Sequence, residues 1–141
     1  MKIIYWSGTG NTEAMANLVA KGIEESGTKT EMINISSVKI DNLKDENIVV
    51  LGCPSMGDEE LESGEFEPFL ESVQEDLKNK KVILFGSYGW GDGQWMRSWE
   101  EKMTDLGVNV ALEPLIVNYT PEGESEEQCI EYGREIAKLS N

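Results

Sequence analysis

Three short stretches hold the residue types that could do chemistry, and the first is Ser7-Gly8-Thr9-Gly10-Asn11-Thr12. Gly8 and Gly10 let the backbone turn its N–H groups toward an anion, and Ser7, Thr9, Asn11 and Thr12 add neutral side-chain donors. The stretch follows the run Ile3-Ile4-Tyr5-Trp6 and opens a helical pattern, the context in which a glycine-bearing turn cradles a phosphate. A nucleotide-hydrolysing phosphate loop needs a Lys before its Ser/Thr, and Asn11-Thr12 is preceded by none. A dinucleotide fingerprint needs a third glycine at position 13, which is Glu13. The chemistry left is capture of a phosphate by neutral donors. The plainer alternative is a turn that caps a helix.

The second stretch, Met56-Gly57-Asp58-Glu59, is a turn signal in which Gly57 can take backbone angles closed to other residues. The third, Ser87-Tyr88-Gly89-Trp90-Gly91-Asp92-Gly93, sets Trp90 between two glycines that remove bulk and expose the indole. Trp95 and Trp99 fall at helical spacing and read as core, whereas Trp90 is better placed to cover a flat ring.

Composition narrows the field. The chain has 141 residues, enough for one domain and a core that needs no disulfide or metal. Lys+Arg total 12 against Asp+Glu 27, a net charge of −15, which argues against nucleic acid and anionic membrane as partners. There is no His, so a Ser-His-Asp triad, a Cys-His pair and a His-ligated metal are excluded. Cys53 and Cys129 are too few for an iron–sulfur cluster and read as buried thiols in a reducing cytoplasm. The first apolar run is too short for a signal peptide or a membrane span.

The stretches must be positioned by the elements around them. Lys2–Trp6, Thr30–Ile35, Asn47–Cys53, Val82–Phe85 and Val108–Val117 read as strands, the third and fourth as continuous apolar runs covered on both faces. Between them, Met15, Leu18, Val19, Gly22 and Ile23 share a helical face, as do Phe66, Phe69, Leu70, Val73 and Leu77. Trp95, Trp99, Met103 and Leu106 mark a third helix, and Cys129, Ile130, Ile136 and Leu139 a last one. The alternation predicts a three-layer, doubly wound α/β fold over residues 1–141. Ligands of such sheets sit beyond the carboxyl ends of the strands, which is where Ser7–Thr12, Pro54–Gly64 and Ser87–Gly93 emerge.

The three motifs in this order and spacing resemble the flavodoxins, close to the short-chain clostridial type, and the match runs over essentially the whole chain. The resemblance implies a five-stranded parallel sheet of order 2-1-3-4-5 with FMN at its switch point. It implies that Ser7, Gly8, Thr9, Gly10, Asn11 and Thr12 hold the FMN phosphate, assisted by Ser87. Met56 would pack on the inner face of the flavin and Trp90 on the outer face, and Glu59 would accept from the flavin N3–H. Gly57 would turn its carbonyl toward N5–H on one-electron reduction, beside Asp58. Backbone amides around Tyr88, Gly89 and Gly91 would reach the pyrimidine oxygen.

The implied role is electron transport rather than enzymatic turnover. The FMN would cycle mainly between semiquinone and hydroquinone at low potential. The implied partners are redox enzymes with basic docking patches, ferredoxin-type donors and acceptors, met by a cytoplasmic monomer. One departure stands out: related chains often carry Ser or Thr at Pro54, which offers neither a hydroxyl nor an N–H. A quinone reductase on the same fold is the competing reading; it needs open room beside the flavin, which Trp90 would block. A phosphorelay receiver needs an Asp cluster after the first strand, and Tyr5-Trp6-Ser7 supplies none.

Overall fold

Strands that are apolar at every position must be covered on both faces, and the structure, a computed structural model describing residues 1–37, 40 and 43–140, shows how. The elements run β1 (Lys2–Tyr5), α1 (Asn11–Glu24), β2 (Glu31–Asn34), β3 (Ile48–Gly52), α2 (Phe66–Leu77) and β4 (Lys81–Tyr88). They continue as α3 (Gln94–Asp105), β5 (Asn109–Val110), β6 (Leu115–Asn118) and α4 (Glu124–Lys138). Every strand pairing is parallel, in the order β2-β1-β3-β4, with β5 and β6 both on the outer edge of β4.

Alternate strand residues divide between two cores. Ile4, Val49, Leu51, Val82 and Leu84 join Phe66, Leu70 and Leu77 of α2 and Trp95 and Trp99 of α3. Ile3, Tyr5, Val50, Ile83 and Phe85 join Met15, Val19 and Ile23 of α1 and Cys129 and Ile136 of α4. The three layers are therefore α1/α4, sheet and α2/α3, as the apolar spacing requires.

Two details correct the sequence reading. The fifth strand, expected to be continuous over Val108–Val117, is split: β5 pairs Lys81 and Val82, and β6 pairs Phe85 to Tyr88. Pro114, just before β6, has no N–H for a ladder. In its place the Tyr132 hydroxyl of α4 lies 3.3 Å from the Leu84 carbonyl and 2.8 Å from the Glu113 carbonyl. The outline 2-1-3-4-5 survives, with its last position built from two segments. Secondly, β4 was expected to end before Gly86, but it runs on through Ser87 and Tyr88, which pair with Val117 and Asn118.

Helix α1 carries the phosphate-type loop at its start, so its placement matters. It packs backbone to backbone on α4. A Cβ added to Gly22 would lie 2.0 Å from the Ile130 carbonyl oxygen, and one on Gly133 would lie 2.1 Å from that of Val19. No side chain fits either position without separating the helices. Gly133→Ala is expected to lower unfolding free energy by about 1–3 kcal/mol, the usual cost of overpacking. It should appear as a lower urea midpoint at unchanged slope.

Candidate functional site

The β1–α1 loop is built so that its donors stay open. Ser7 Oγ accepts the Glu13 N–H at 3.2 Å, and Thr12 Oγ1, on a buried side chain, accepts the Ser87 N–H at 3.3 Å. Both hydroxyls use only their acceptor side there, so their own protons remain free to donate. Asn11 Oδ1 accepts the Thr120 hydroxyl at 2.6 Å, which leaves the Asn11 amide N–H₂ to donate elsewhere. Among the described residues, no acceptor takes the backbone amides of Gly8, Thr9, Gly10, Asn11 or Thr12. Gly10, at φ 96°, begins α1 with no side-chain cap, so these amides add to the positive end of the helix dipole.

Behind the loop, the Tyr5 hydroxyl donates to Glu13 at 2.8 Å. Burial first, and then the Glu13 carboxylate, push this phenol from 10.0 up to about 12. The Trp6 indole donates to Glu65 at 3.0 Å and lies against Gly8, where an added Cβ would meet the ring at 3.0 Å.

The second stretch is a closed turn. Met56 and Glu60 exchange two backbone hydrogen bonds, Met56 N–H to the Glu60 carbonyl at 2.7 Å and Glu60 N–H to the Met56 carbonyl at 2.8 Å. Within it Gly57 has φ 51° and Glu59 φ 58°. Nothing packs near the Gly57 position, so its conformation is set by the turn alone. Glu59 Oε1 accepts the Gln94 N–H at 3.2 Å, at the start of α3, and its carboxylate lies against Gly91. Glu59 thereby ties the second stretch to the third.

The third stretch is tied to a fourth that the sequence reading missed. The Asn118 side-chain amide donates to the carbonyls of Tyr88 at 3.2 Å and Gly89 at 2.8 Å. Tyr119 N–H donates to the Tyr88 carbonyl at 2.7 Å, and the Ser87 hydroxyl donates to the Tyr119 carbonyl at 2.6 Å. The buried Ser87 hydroxyl is thus engaged within the protein. Tyr119 is a non-glycine residue with φ 59° and is 59% exposed. The available signal was positional: Asn118-Tyr119-Thr120-Pro121 leaves the carboxyl end of the last strand, as the other three loops leave theirs.

A cleft of about 240 Å³ lies where these segments meet. Of the sequence-expected residues, Gly8, Thr9, Asn11, Met56, Ser87, Tyr88 and Gly89 line it. Trp6, Pro54, Ser55 and Tyr119 line it too, while Ser7, Gly10, Thr12, Gly57, Asp58, Glu59, Trp90 and Gly91 do not. Among the described residues, no charged side chain forms its wall. Among the described residues, two of the three exposed large apolar side chains, Met56 at 38% and Tyr119, belong to the wall, and Trp90 at 65% stands outside it.

The chain matches the family model described as flavodoxin over residues 3–133. It is 58% identical over 139 residues to the flavodoxin of Clostridium beijerinckii, covering 99% of this chain and all of that one. It is 44% identical to the Megasphaera elsdenii flavodoxin over 98% of both chains. The chain belongs to the flavodoxin family. The solution structure of the two-electron reduced Megasphaera elsdenii flavodoxin superposes with a TM-score of 0.87 at 44% identity, covering 97% of this chain and 98% of that one. Oxidised Flavodoxin 1 from Bacillus cereus gives 0.81 at 32% identity, over 97% and 96% of the two chains.

This flavodoxin has a donor set that suits FMN: open amides over positions 8–12 could hold a phosphate without a cation, and uncharged walls could hold a ring system. Among the described residues no carboxylate or cysteine cluster could hold a metal. Cys53 and Cys129 are free and buried, and burial pushes both thiols up, Cys129 to about 11, so neither is an active nucleophile. No described helix is long and apolar enough to cross a membrane.

Because the Tyr5 phenol ionises at 10.0 unfolded and about 12 folded, folding favours its neutral form. Its contribution is whole below pH 10 and is lost as pH rises through about 12. Urea midpoints measured at pH 8 and pH 11 should fall less steeply in Tyr5→Phe than in the parent.

Proposed function

We propose that this flavodoxin is a low-potential one-electron carrier whose tightly bound FMN cycles mainly between its one-electron and two-electron reduced forms. FMN-dependent electron transfer, rather than enzymatic turnover, comes with the family. The finer reading is carried by one observation. Gly8, Thr9 and Asn11 of the donor-rich first loop line a cleft whose wall carries no charged side chain among the described residues, and the nearby turn is crowded with carboxylates. When bound, FMN supplies the redox chemistry, and the chain sets the energies of its two steps.

In this reading Ser7, Gly8, Thr9, Gly10, Asn11 and Thr12 hold the phosphate. Ser87 assists by bracing Thr12, whose Oγ1 accepts the Ser87 N–H, since the Ser87 hydroxyl is taken by the Tyr119 carbonyl. Met56 and Trp90 cover the ring from its two sides. Glu59 has Oε1 on the Gln94 amide, leaving Oε2 to accept from N3–H. Amides of Tyr88, Gly89 and Gly91 serve the pyrimidine oxygen, and the Asn118 bonds to the neighbouring carbonyls hold that segment in place.

Gly57 sits in a turn closed at its base, and a Cβ placed on it would meet nothing within 4 Å. Its carbonyl would be the group to turn and accept a hydrogen bond from the flavin N5–H. A net hydrogen bond of about 0.5–1.5 kcal/mol corresponds to about 20–65 mV. Asp58, Glu59, Glu60, Glu62 and Glu65 oppose the second electron. One carboxylate about 10 Å away costs roughly 1–2 kcal/mol at an effective dielectric of 20, or about 40–90 mV. The only arginine beside the third stretch, Arg97, is paired with Asp92 at 2.9 Å. The same acidic end would dock briefly on basic patches of larger redox enzymes, as a monomer, with salt-sensitive on-rates.

Anaerobic reductive titration of the FMN-loaded protein, followed by absorbance, tests this. Two separated steps are expected; a single two-electron step would overturn the proposal. Gly57→Thr should lower the first potential by about 20–65 mV, because a β-branched residue opposes positive φ. Trp90→Ala should weaken FMN binding about tenfold or more and raise the second potential. Unchanged affinity and potentials would remove Trp90 from the flavin.

A further inference from the structure

At the opposite end of the sheet, where β3, β4 and β5 begin, lies a cleft of about 670 Å³. Its wall contains three lysines, Lys78, Lys80 and Lys81, and no carboxylate, in a chain of net charge −15. Lys80, 9% exposed, donates from Nζ to the Glu46 carbonyl at 2.6 Å, and Lys81 Nζ donates to the Leu139 carbonyl at 3.0 Å. Neutral carbonyls fix these ammonium groups without cancelling their charge. Lys78 pairs with Glu75 at 3.0 Å, an exposed contact of the kind that exchanges readily. Three side-chain amides, Asn47, Asn79 and Asn109, share the wall, and no described residue hydrogen-bonds to them.

Balancing helix ends does not account for this much charge. The C-termini of α2 and α4 each bring about −0.5 of a charge. Glu75 adds one negative unit against the three lysines. Among the described groups the three lysines exceed these negative terms; Lys80 and Lys81 are fixed by carbonyls, and the amides lie beside them.

We propose that this cleft binds a small polyvalent oxyanion of the pyrophosphate class. Lys78, Lys80 and Lys81 supply the charge and the three asparagines supply neutral donors. The eight residues of β4 separate the cleft from the flavin end by roughly 25 Å, so the two sites load independently.

The test is amide NMR of the FMN-loaded, ¹⁵N-labelled protein titrated with pyrophosphate, orthophosphate and sodium chloride at matched ionic strength. Pyrophosphate should give saturable shifts at Asn79, Lys80, Lys81 and Asn109, and none at Ser7–Thr12. Affinity should fall at least tenfold in the Lys78→Gln/Lys81→Gln double variant, with the flavin spectrum unchanged. Lys78→Gln alone, on the solvent side, should weaken binding about threefold and serves if the double variant does not fold. Shifts reproduced by sodium chloride, or equal affinity in the variants, would overturn the site. Orthophosphate binding as tightly as pyrophosphate would overturn its preference for a polyvalent ligand.

Discussion

An anion can be held without a cation only where several N–H groups converge and nothing in the protein competes for them. The first turn of α1 meets that condition, and much of the fold serves it. Ser7 and Thr12 brace the loop with their lone pairs only, which leaves their protons free to donate. Asn11 does the same through its carbonyl oxygen. The helix is in turn fixed by the glycine contact with α4, which removes the freedom to slide that would blur the cradle. Preorganisation of this kind matters more for neutral donors than for a lysine, because each contributes little and all must be in place together.

Charge is arranged along the strand direction. The loops at the carboxyl ends carry Asp58, Glu59, Glu60, Glu62, Glu65 and Asp92, while Lys2 and Lys81 begin strands and Lys21, Lys102 and Lys138 lie in last helical turns. Such placement complements the helix dipoles at both ends. On the proposed reading, the carboxylates of these loops bear on electron uptake and on which surfaces can approach. A uniform scatter of the same charges would keep the protein soluble and do neither.

Most of the fold was legible because the strands are short and apolar and the helices amphipathic: each expected core residue of α2 is buried, and the alternation along β1, β3 and β4 sorts into two cores. The misses share a cause. Ser87 and Tyr88 look like loop residues, yet pairing with β6 extends the strand through them. The split of the last strand depends on a tyrosine hydroxyl from a helix more than a dozen residues further on. The Asn118–Pro121 loop carries no glycine signal, and its hold on Gly89 comes through one asparagine side chain. In each case a long-range hydrogen bond overrode local pattern, and such bonds have no spacing to read.

Restraint around the second turn decides how the site can respond. Its base is closed by the Met56–Glu60 pair, and its far side is held by Glu59 on the start of α3. Pro54 removes a donor and fixes φ just upstream, while Ser55 is pinned through its N–H to the Ser87 carbonyl at 3.0 Å. Gly57 itself is at positive φ, and a Cβ placed on it would meet nothing within 4 Å. On the proposed reading, a change in the ligand's hydrogen-bonding there would be met by rotating one peptide, at a cost near that of a single hydrogen bond, about 1 kcal/mol. Had the whole turn been loose, the response would spread over many torsions and lose its energetic meaning; had Gly57 been packed, there would be no response to make.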